Sequence, residues 1–416
     1  MRRYRELAPT ARTIMTPGPV EVDPRVLRAM ASPILGQFDP EFTEMMNETM
    51  AMLRELFQTA NHQAFPVDGT SRSGIEAVLV SLIEPGDKVL VPIYGRFGHL
   101  LAEISERCGA NVVVMEQEWG KVFDPEQVIE KMKLERPDIV ALVHGETSTG
   151  RMQPLRDIGR ACRELGSLFV VDAVATIGGA DVRVDEWMFD AVIGGTQKCL
   201  SVPAGMAPIT FNERAEEKIH RRKNVERGIR DASVDRNGSG VIIRSNYFDL
   251  SQLMDYWGPR RLNHHTEATS MLYALREGLR ITLEEGLQER FGRHKLHERA
   301  LLAGLEAMGL KLFGDAGCKL PVVTCVQIPE GIDGDAVIRM LLQEFKVEIA
   351  TSFGPLKGKI WRIGTMGYSC SQKNVLTVLG ALEAVLIRHK AKVDAGRALQ
   401  AALDVYVEAR SSMIYV

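Results

Sequence analysis

The sequence of 416 residues lacks the features that mark several functional classes. Its 51 basic side chains are balanced by 54 acidic ones, and the net charge of −3 argues against nucleic acid or an anionic membrane as the main partner. No apolar run is long enough to span a bilayer. The opening stretch, MRRYRELAPTARTIM, lacks the apolar core of a signal peptide. We therefore expect a cytoplasmic protein that binds neither membranes nor nucleic acid.

Cysteine is scarce and scattered, and no two cysteines form a CxxC pair. The six are Cys108, Cys162, Cys199, Cys318, Cys325 and Cys370. This usage fits a reducing compartment better than a disulfide framework or a zinc site. His294 and His297 lie three residues apart in a charged segment without acidic or thiolate partners nearby. We expect them to be solvated helix residues, and we expect no metal site.

Helical and strand patterns alternate between about residue 20 and residue 215. The predicted strands are short, apolar and rich in valine and isoleucine, and they cover 89–93, 110–115, 138–145, 167–173 and 190–195. Alternation of this kind predicts an α/β fold with a largely parallel sheet that is covered on both faces. Ligands of such sheets bind at the carboxyl ends of the strands, so the chemistry is expected there.

A second α+β pattern follows a long helix predicted over 267–286, and two helices close the chain. The polar segment 221–245 is predicted to be a long mobile loop. We expect an N-terminal arm (1–20), a large domain (21–280) and a smaller C-terminal domain (281–416).

The stretch GGTQKCLSVPAG places Lys198 at the mouth of an apolar strand. An isolated buried ammonium is unfavourable, so a lysine in this position is either an ordinary loop residue or an amine held there to react. Partial desolvation lowers the pKa of a lysine and makes its amine nucleophilic towards carbonyl groups.

Other polar or aromatic residues are predicted to lie at the same sheet edge. Thr70 and Ser71 precede a helix, where they could form an anion site or simply cap the helix. Asp172 ends an apolar strand. Its burial there is equally compatible with a structural role and with a functional one. Thr147 follows another strand in HGETSTG, and the flat ring of Tyr94 could stack on a planar ligand. Together with Lys198 they predict a pyridoxal-phosphate pocket. A nicotinamide-binding domain would share the fold pattern, but the sequence has no GxGxxG at its first βα turn.

Several segments occur in the order typical of one known family. They are TPGPVEVDPRVL, HGETSTG, VDAVATIGG, GGTQKCL, YALREGL and WRIGTMG. With them the chain resembles the class V, fold-type I aminotransferases of the alanine–glyoxylate and serine–pyruvate group over nearly its whole length. The resemblance implies pyridoxal 5′-phosphate as cofactor and a homodimer with shared active sites.

The resemblance also implies roles for individual residues. Lys198 matches the lysine that binds the cofactor covalently, and Asp172 matches the partner of the pyridine nitrogen. The further cofactor-binding residues that it implies are Thr70, Ser71, Arg72, Tyr94, Thr147, Val174, Gln197 and, from the neighbouring subunit, Thr266. Arg362 matches the arginine that binds the substrate α-carboxylate, and the backbone at Gly18 lines the same end of the pocket.

Two departures from the family pattern bear on the substrate. Asn263 and Glu267, in NHHTE, replace the usual tyrosine and proline, and Gln37 stands where relatives often carry histidine. The two carboxamides offer donors and an acceptor that complement a ureido group, as in the ureidoglycine–glyoxylate aminotransferases of bacterial purine catabolism. Alternatively, Asn263 merely takes over the tyrosine's phosphate contact and Gln37 is neutral.

The expected activity is therefore transfer of an amino group from (S)-ureidoglycine to glyoxylate, giving glycine and an oxo product, oxalurate. An alanine– or serine–glyoxylate aminotransferase is the nearest alternative. A lyase such as a cysteine desulfurase would need a mobile cysteine, for which Cys318 is the candidate. A non-enzymatic binding protein is a third possibility, although the presence of both Lys198 and Arg362 argues against a catalytically inactive site.

Overall fold

The computed structural model describes residues 4–229 and 241–414. Its fourteen strands in these ranges form two principal sheets and two short ladders. The strands are β1 (Thr13–Ile14), β2 (Gln63–Gly69), β3 (Lys88–Ile93), β4 (Asn111–Glu116), β5 (Ile139–Val143), β6 (Gly145–Glu146), β7 (Arg151–Met152), β8 (Leu168–Asp172), β9 (Ala191–Ile193), β10 (Gly205–Phe211), β11 (Val323–Gln327), β12 (Val347–Glu348), β13 (Ala350–Thr351) and β14 (Ile360–Gly364).

Thirteen α-helices in the same ranges cover these sheets. They are α1 (Pro24–Met30), α2 (Pro40–Phe57), α3 (Ser71–Leu82), α4 (Arg96–Arg107), α5 (Pro125–Glu135), α6 (Arg156–Leu165), α7 (Glu213–His220), α8 (Leu250–Trp257), α9 (Thr269–Glu285), α10 (Leu287–Ala307), α11 (Gly334–Met340), α12 (Gln372–Arg388) and α13 (Ala398–Ile414). None of the described helices combines the length and the apolar character that crossing a membrane requires.

The larger sheet has seven strands in the order β2-β10-β9-β8-β5-β3-β4. The strands from β9 to β4 run parallel, whereas β10 lies antiparallel to both of its neighbours. Strands β5 and β8 are buried along their whole length, because helices lie on both faces of the sheet. The predicted α/β class with a mainly parallel sheet is confirmed. Strand β2 was not predicted, since Pro66 and Asp68 interrupt its apolar pattern.

A second, antiparallel sheet has the order β11-β14-β13 and its own apolar core. Helices α10, α12 and α13 supply much of that core, as the predicted α+β pattern requires. The N-terminal segment joins this part of the molecule, because β1 pairs in parallel with β12 and Met15 is fully buried in the second core. The domain limits at residues 20 and 280 remain predictions.

The expectation that His294 and His297 are solvated is wrong. Both lie on the covered side of α10, which packs extensively against α13. The two ring nitrogens of His294 contact the Arg290 carbonyl (2.7 Å) and the Gly367 amide (2.9 Å), so each is occupied within the protein. Nδ1 of His297 lies 2.7 Å from the hydroxyl of Tyr406. The charged residues beside them in the sequence did not indicate that other helices cover this face of α10.

The polar segment 221–245 is described only in part, because residues 230–240 lie outside the described ranges. At its start, Arg222 is almost fully buried and donates hydrogen bonds to the carbonyls of Ser81 (2.8 Å) and Ile83 (2.9 Å). This residue is therefore part of the packed structure rather than of an open loop.

The contact between α6 and the chain before β9 gives a test of the packing. A Cβ at Gly159 would overlap the carbonyl oxygen of Trp187, whereas a Cβ at Gly292 would meet no atom within 4 Å. We expect Gly159→Ala to lower the free energy of unfolding by about 1–3 kcal/mol through overpacking. Gly292→Ala, also within a helix, should raise it by about 0.4–1 kcal/mol. Thermal unfolding followed by circular dichroism distinguishes the two, and equal melting temperatures would contradict the packing described here.

Candidate active site

A cavity of about 200 Å³ opens where β5 and β8 of the large sheet end. Polar groups from successive strand ends meet there, as the parallel topology requires. Its lining residues are Thr70, Ser71, Arg72, Ile75, Phe97, Leu100, Val143, Gly145, Thr147, Asp172, Val174, Ala175, Gln197 and Lys198. Eight predicted site residues are therefore brought together around one space.

Lys198 lies in the loop after β9, and only 8% of its surface is exposed. Its amine donates a hydrogen bond to the carbonyl of Pro17. Gly18 permits this approach, because a Cβ there would lie 2.5 Å from Cδ of Lys198 and the residue has a φ of +102°. Burial, with a smaller contribution from the Arg362 cation, lowers the pKa of Lys198 to about 8. About one amine in ten is then unprotonated at pH 7.

Asp172, the last residue of β8, faces the same cavity. Its side chain accepts one hydrogen bond within the described residues, from the amide of Val174 at 2.9 Å. Burial raises the pKa of Asp172 to about 6. A ligand that presents a cationic N–H group would stabilise the charged form of this carboxylate.

The first turn of α3 forms an anion-binding corner of the cavity. Thr70 is the N-cap residue, but its side chain makes no capping hydrogen bond to the helix. The hydroxyl of Ser71 donates instead to Oε1 of Gln197 at 2.9 Å, which joins this turn to the Lys198 loop. Backbone N–H groups at a helix start, with Arg72 beside them, suit a phosphate.

The Tyr94 ring does not line the cavity in this structure, and its stacking on a planar ligand remains a prediction. Tyr94 is 1% exposed and is absent from the cavity lining, since its hydroxyl donates to the carbonyls of Val143 (2.8 Å) and His144 (2.9 Å). The aromatic ring that lines the cavity belongs to Phe97, in the first turn of α4. Tyr94 directly follows β3, and its ring is buried in the core. The turn at Gly95 then redirects the chain and brings Phe97 to the cavity.

Buried Glu146, which sequence reasoning missed, fixes this turn. One of its carboxylate oxygens accepts from the amide of Phe97 (2.8 Å), and the other accepts from the amide (2.9 Å) and hydroxyl (2.6 Å) of Ser148. A Cβ at Gly95 would overlap the Glu146 side chain, so glycine is required by this close approach. The run HGETSTG contained the signal, because an internal glutamate there needs partners.

Arg362, on β14 of the second sheet, reaches the first sheet. Its guanidinium donates to the carbonyls of Thr147 (3.0 Å) and Thr351 (2.6 Å) and lies over the ring of Phe353, 4.6 Å from its centroid. Only 6% of the residue is exposed, and no described carboxylate lies at ion-pair distance from it. A buried guanidinium without an anionic partner suits a carboxylate ligand.

Gln37, Asn263 and Thr266 do not line this cavity in the described chain. Nε2 of Gln37 donates to Oδ1 of Asn263 at 2.9 Å, so the two carboxamides do form one unit. The resemblance assigns Thr266 to the site of a neighbouring subunit, and the same placement would apply to this pair. Their roles in binding remain predictions.

Comparisons with known proteins agree with this geometry. The family model "Aminotransferase class-V" matches residues 28–357. The chain belongs to the class-V aminotransferase family. The (S)-ureidoglycine–glyoxylate transaminase of Bacillus subtilis is 69% identical over 410 residues, which cover 98% of this chain and 99% of that protein. An alanine–glyoxylate aminotransferase of Drosophila melanogaster is 34% identical over 91% of this chain and 93% of its own.

Among solved structures, the ureidoglycine–glyoxylate aminotransferase of Bacillus subtilis superposes with a TM-score of 0.92 at 67% identity. The match covers 97% of this chain and all of that one. The predicted family and fold type are thereby confirmed.

Class-V aminotransferases generally use pyridoxal phosphate, and the residues of this cavity fit that group. The α3 start, which Thr70 leaves uncapped, suits the phosphate. Asp172, a buried carboxyl with one hydrogen bond, suits a protonated ring nitrogen, and Lys198 supplies the amine. Val174 and Phe97 provide apolar contacts for a flat ring.

The depressed pKa of Lys198 can be tested on cofactor-free protein. Its acetylation by acetic anhydride, followed by peptide mass spectrometry, should reach half of its maximal rate near pH 8, because burial disfavours the ammonium form. Exposed Lys133 is the internal control, since its hydrogen bond with Glu130 raises its pKa. Its reactivity should therefore rise only at higher pH. Parallel pH profiles for the two lysines would contradict the assignment.

Proposed function

We propose that this protein is a pyridoxal-phosphate-dependent aminotransferase that moves the amino group of (S)-ureidoglycine to glyoxylate, with glycine and oxalurate as products. The observation that carries the proposal is the meeting of Lys198, Asp172 and the α3 start around one cavity, with Arg362 close enough to Lys198 to lower its pKa. The full-length identity of 69% to a ureidoglycine–glyoxylate transaminase supports the choice of substrates. Such a reaction belongs to purine and allantoin catabolism.

Pyridoxal phosphate, when bound, supplies an electron sink that makes the carbon beside an amino group acidic. The residues of the cavity would bind the cofactor and hold it in position. Thr70, Ser71, Arg72 and Gln197 would hold the phosphate, while Asp172 would keep the ring nitrogen protonated. Val174 and Phe97 would contact the faces of the ring, and the Thr147 hydroxyl would bind the cofactor.

Lys198 is the covalent anchor and the group that moves the proton at the donor Cα. Its pKa of about 8 keeps enough free amine at neutral pH to accept that proton and return it. Arg362 binds the α-carboxylate of the donor and then that of glyoxylate, which places each reacting carbon against the same amine. One site thus serves both half-reactions in turn.

The donor preference is proposed to rest on Gln37 and Asn263 of the neighbouring subunit, together with its Thr266 at the phosphate. The hydrogen bond between the two carboxamides orients an acceptor and N–H donors side by side, the set that a ureido NH–CO–NH₂ group requires. Donors without that group would leave these polar atoms unpaired.

We also propose a homodimer in the cytoplasm. The dimer is supported by the family resemblance and by the position of Thr266 outside the cavity of its own chain. The cytoplasm is supported by the six cysteines, all of which are free thiols.

An alanine– or serine–glyoxylate aminotransferase is the second candidate, favoured by the relatives at 34% identity. A desulfurase is disfavoured by Cys318, which does not line the cavity and whose pKa is raised by burial and by Asp315. A nucleophilic thiol needs the opposite shift. A binding protein without catalysis is disfavoured by the depressed pKa of Lys198.

Lys198→Ala should abolish the visible absorbance of tightly bound pyridoxal phosphate and lower turnover at least about 10³-fold, because the amine is both anchor and proton carrier. Lys133→Ala removes an exposed lysine and serves as the matched control. Absorbance spectra and glycine formation from glyoxylate provide the readouts. Normal turnover in the Lys198 variant would refute the site.

A donor panel tests the substrate independently of the cofactor. With (S)-ureidoglycine, alanine and serine as donors, the half-reaction of the wild type should be fastest with ureidoglycine. Asn263→Tyr should lower kcat/KM for ureidoglycine about 10- to 100-fold relative to alanine, since about 1–3 kcal/mol of hydrogen bonding is lost. Gln400→His, at an exposed position of α13, is the control. If Asn263→Tyr does not change the donor preference, Asn263 does not recognise the ureido group. The assignment as an aminotransferase would stand.

A further inference from the structure

Three side chains outside the described cavity form a compact, unexplained cluster. Asp68 is the last residue but one of β2 and lies three residues before the first residue of α3, while His265 and Glu267 lie just before α9. The nearest ligand atoms of the three all lie within 4.8 Å of one another. Nε2 of His265 is 3.2 Å from Oδ2 of Asp68 and 3.7 Å from Oε2 of Glu267.

Glu267 is the member of the cluster that the protein leaves unsatisfied. The residue is 4% exposed, yet neither carboxylate oxygen makes a hydrogen bond of ordinary geometry within residues 4–229 and 241–414. A buried polar group without a partner is unfavourable by about 1–3 kcal/mol, and a buried charge by more. Burial and the neighbouring Asp68 accordingly raise the pKa of Glu267 well above its usual value.

The ring of His265 also contacts the ring of His264. Nδ1 of His265 lies 2.8 Å from Nδ1 of His264, so one ring must donate to the other. If His265 donates, its Nε2 carries a lone pair that points at two carboxylates. This nitrogen makes no hydrogen bond to Asp68 despite the distance of 3.2 Å. A divalent cation placed between the three groups would accept this lone pair together with the carboxylate oxygens.

We propose that Asp68, His265 and Glu267 bind a divalent transition-metal ion. Ligands placed about 2.0–2.2 Å from a tetrahedral Zn²⁺ lie about 3.3–3.6 Å apart, close to the two separations measured here. Two carboxylates neutralise the ion, and one imidazole suits Zn²⁺. The other nitrogen of that imidazole contacts His264.

The ion would tie the segment that carries Asn263 and Thr266 to the strand end that leads into the α3 start. Without it, the segment is held to Asp68 by the amide of Ala268 at 3.3 Å and by the His265 contact. The groups that face the cluster are Tyr256, whose ring centroid is 4.8 Å from that of His265, with Tyr247 at 5.4 Å and His264 at 5.0 Å. The Tyr256 hydroxyl interacts with the Glu267 carboxyl, but neither it nor the other two residues carries a fixed positive charge.

The experiment is calorimetric titration of the chelator-treated holoenzyme with ZnCl₂, together with metal analysis after dialysis. We expect one Zn²⁺ per chain. Glu267→Gln keeps the shape and should weaken binding at least about 100-fold, because loss of even an outer partner of a ligand weakens binding 10–100-fold. Asp68→Asn should do the same.

The matched control is Glu216→Gln, which removes the carboxylate from a half-buried histidine–carboxylate pair with His220 (3.1 Å) on α7. It should bind Zn²⁺ as the wild type does. Circular dichroism and the absorbance of bound cofactor check that each variant is folded. The proposal is overturned if Zn²⁺ does not bind stoichiometrically or if wild type and Glu267→Gln bind it equally well. It is also overturned if only Glu216→Gln loses binding. The cluster would then be a pair of carboxyl groups that share a proton. The readout is metal binding, so it does not depend on the identity of the donor.

Discussion

The site depends on keeping the Lys198 amine out of water at the carboxyl edge of the large sheet. Buried strand β9 leads into its loop, and the carbonyl of Pro17 accepts a hydrogen bond from the amine. Desolvation is the largest cause of its depressed pKa, and the Arg362 cation adds to it. A lysine in the same loop but open to solvent would remain an ammonium ion and could neither attack a carbonyl nor accept a proton.

That desolvation requires both sheets. Arg362 comes from β14 of the second sheet, and Pro17 comes from the segment whose strand β1 pairs with β12. Arg290 of α10 donates to the carbonyls of Gly178 (2.8 Å) and Cys199, which fixes the backbone beside Lys198. Arg293, one turn later, donates to the carbonyls of Gly367 (2.9 Å) and Cys370 (2.7 Å), beyond the Arg362 strand. Movement of the second sheet would therefore alter both the amine and its carboxylate-binding partner.

Sequence reasoning succeeded where the constraint is local. Lys198 and Asp172 stand directly after or at the end of apolar strands, and parallel strands bring such ends to one edge. It failed for residues whose burial depends on a distant segment. Tyr94 and Phe97 are three residues apart, and the sequence did not indicate that Phe97 lines the cavity. His294 and His297 are buried because α13, about a hundred residues later, covers their helix.

The cluster of Asp68, His265 and Glu267 could not be read from the sequence for the same reason, since almost two hundred residues separate Asp68 from the other two along the chain. The sequence alone determined the α/β class, the family and the residue types at the strand ends, because periodicity and local order encode them. The tertiary structure decided which side chains share a cavity, which carboxylates are left unpaired and how far the pKa of Lys198 falls. Those properties depend on desolvation and on distances between segments that only folding brings together.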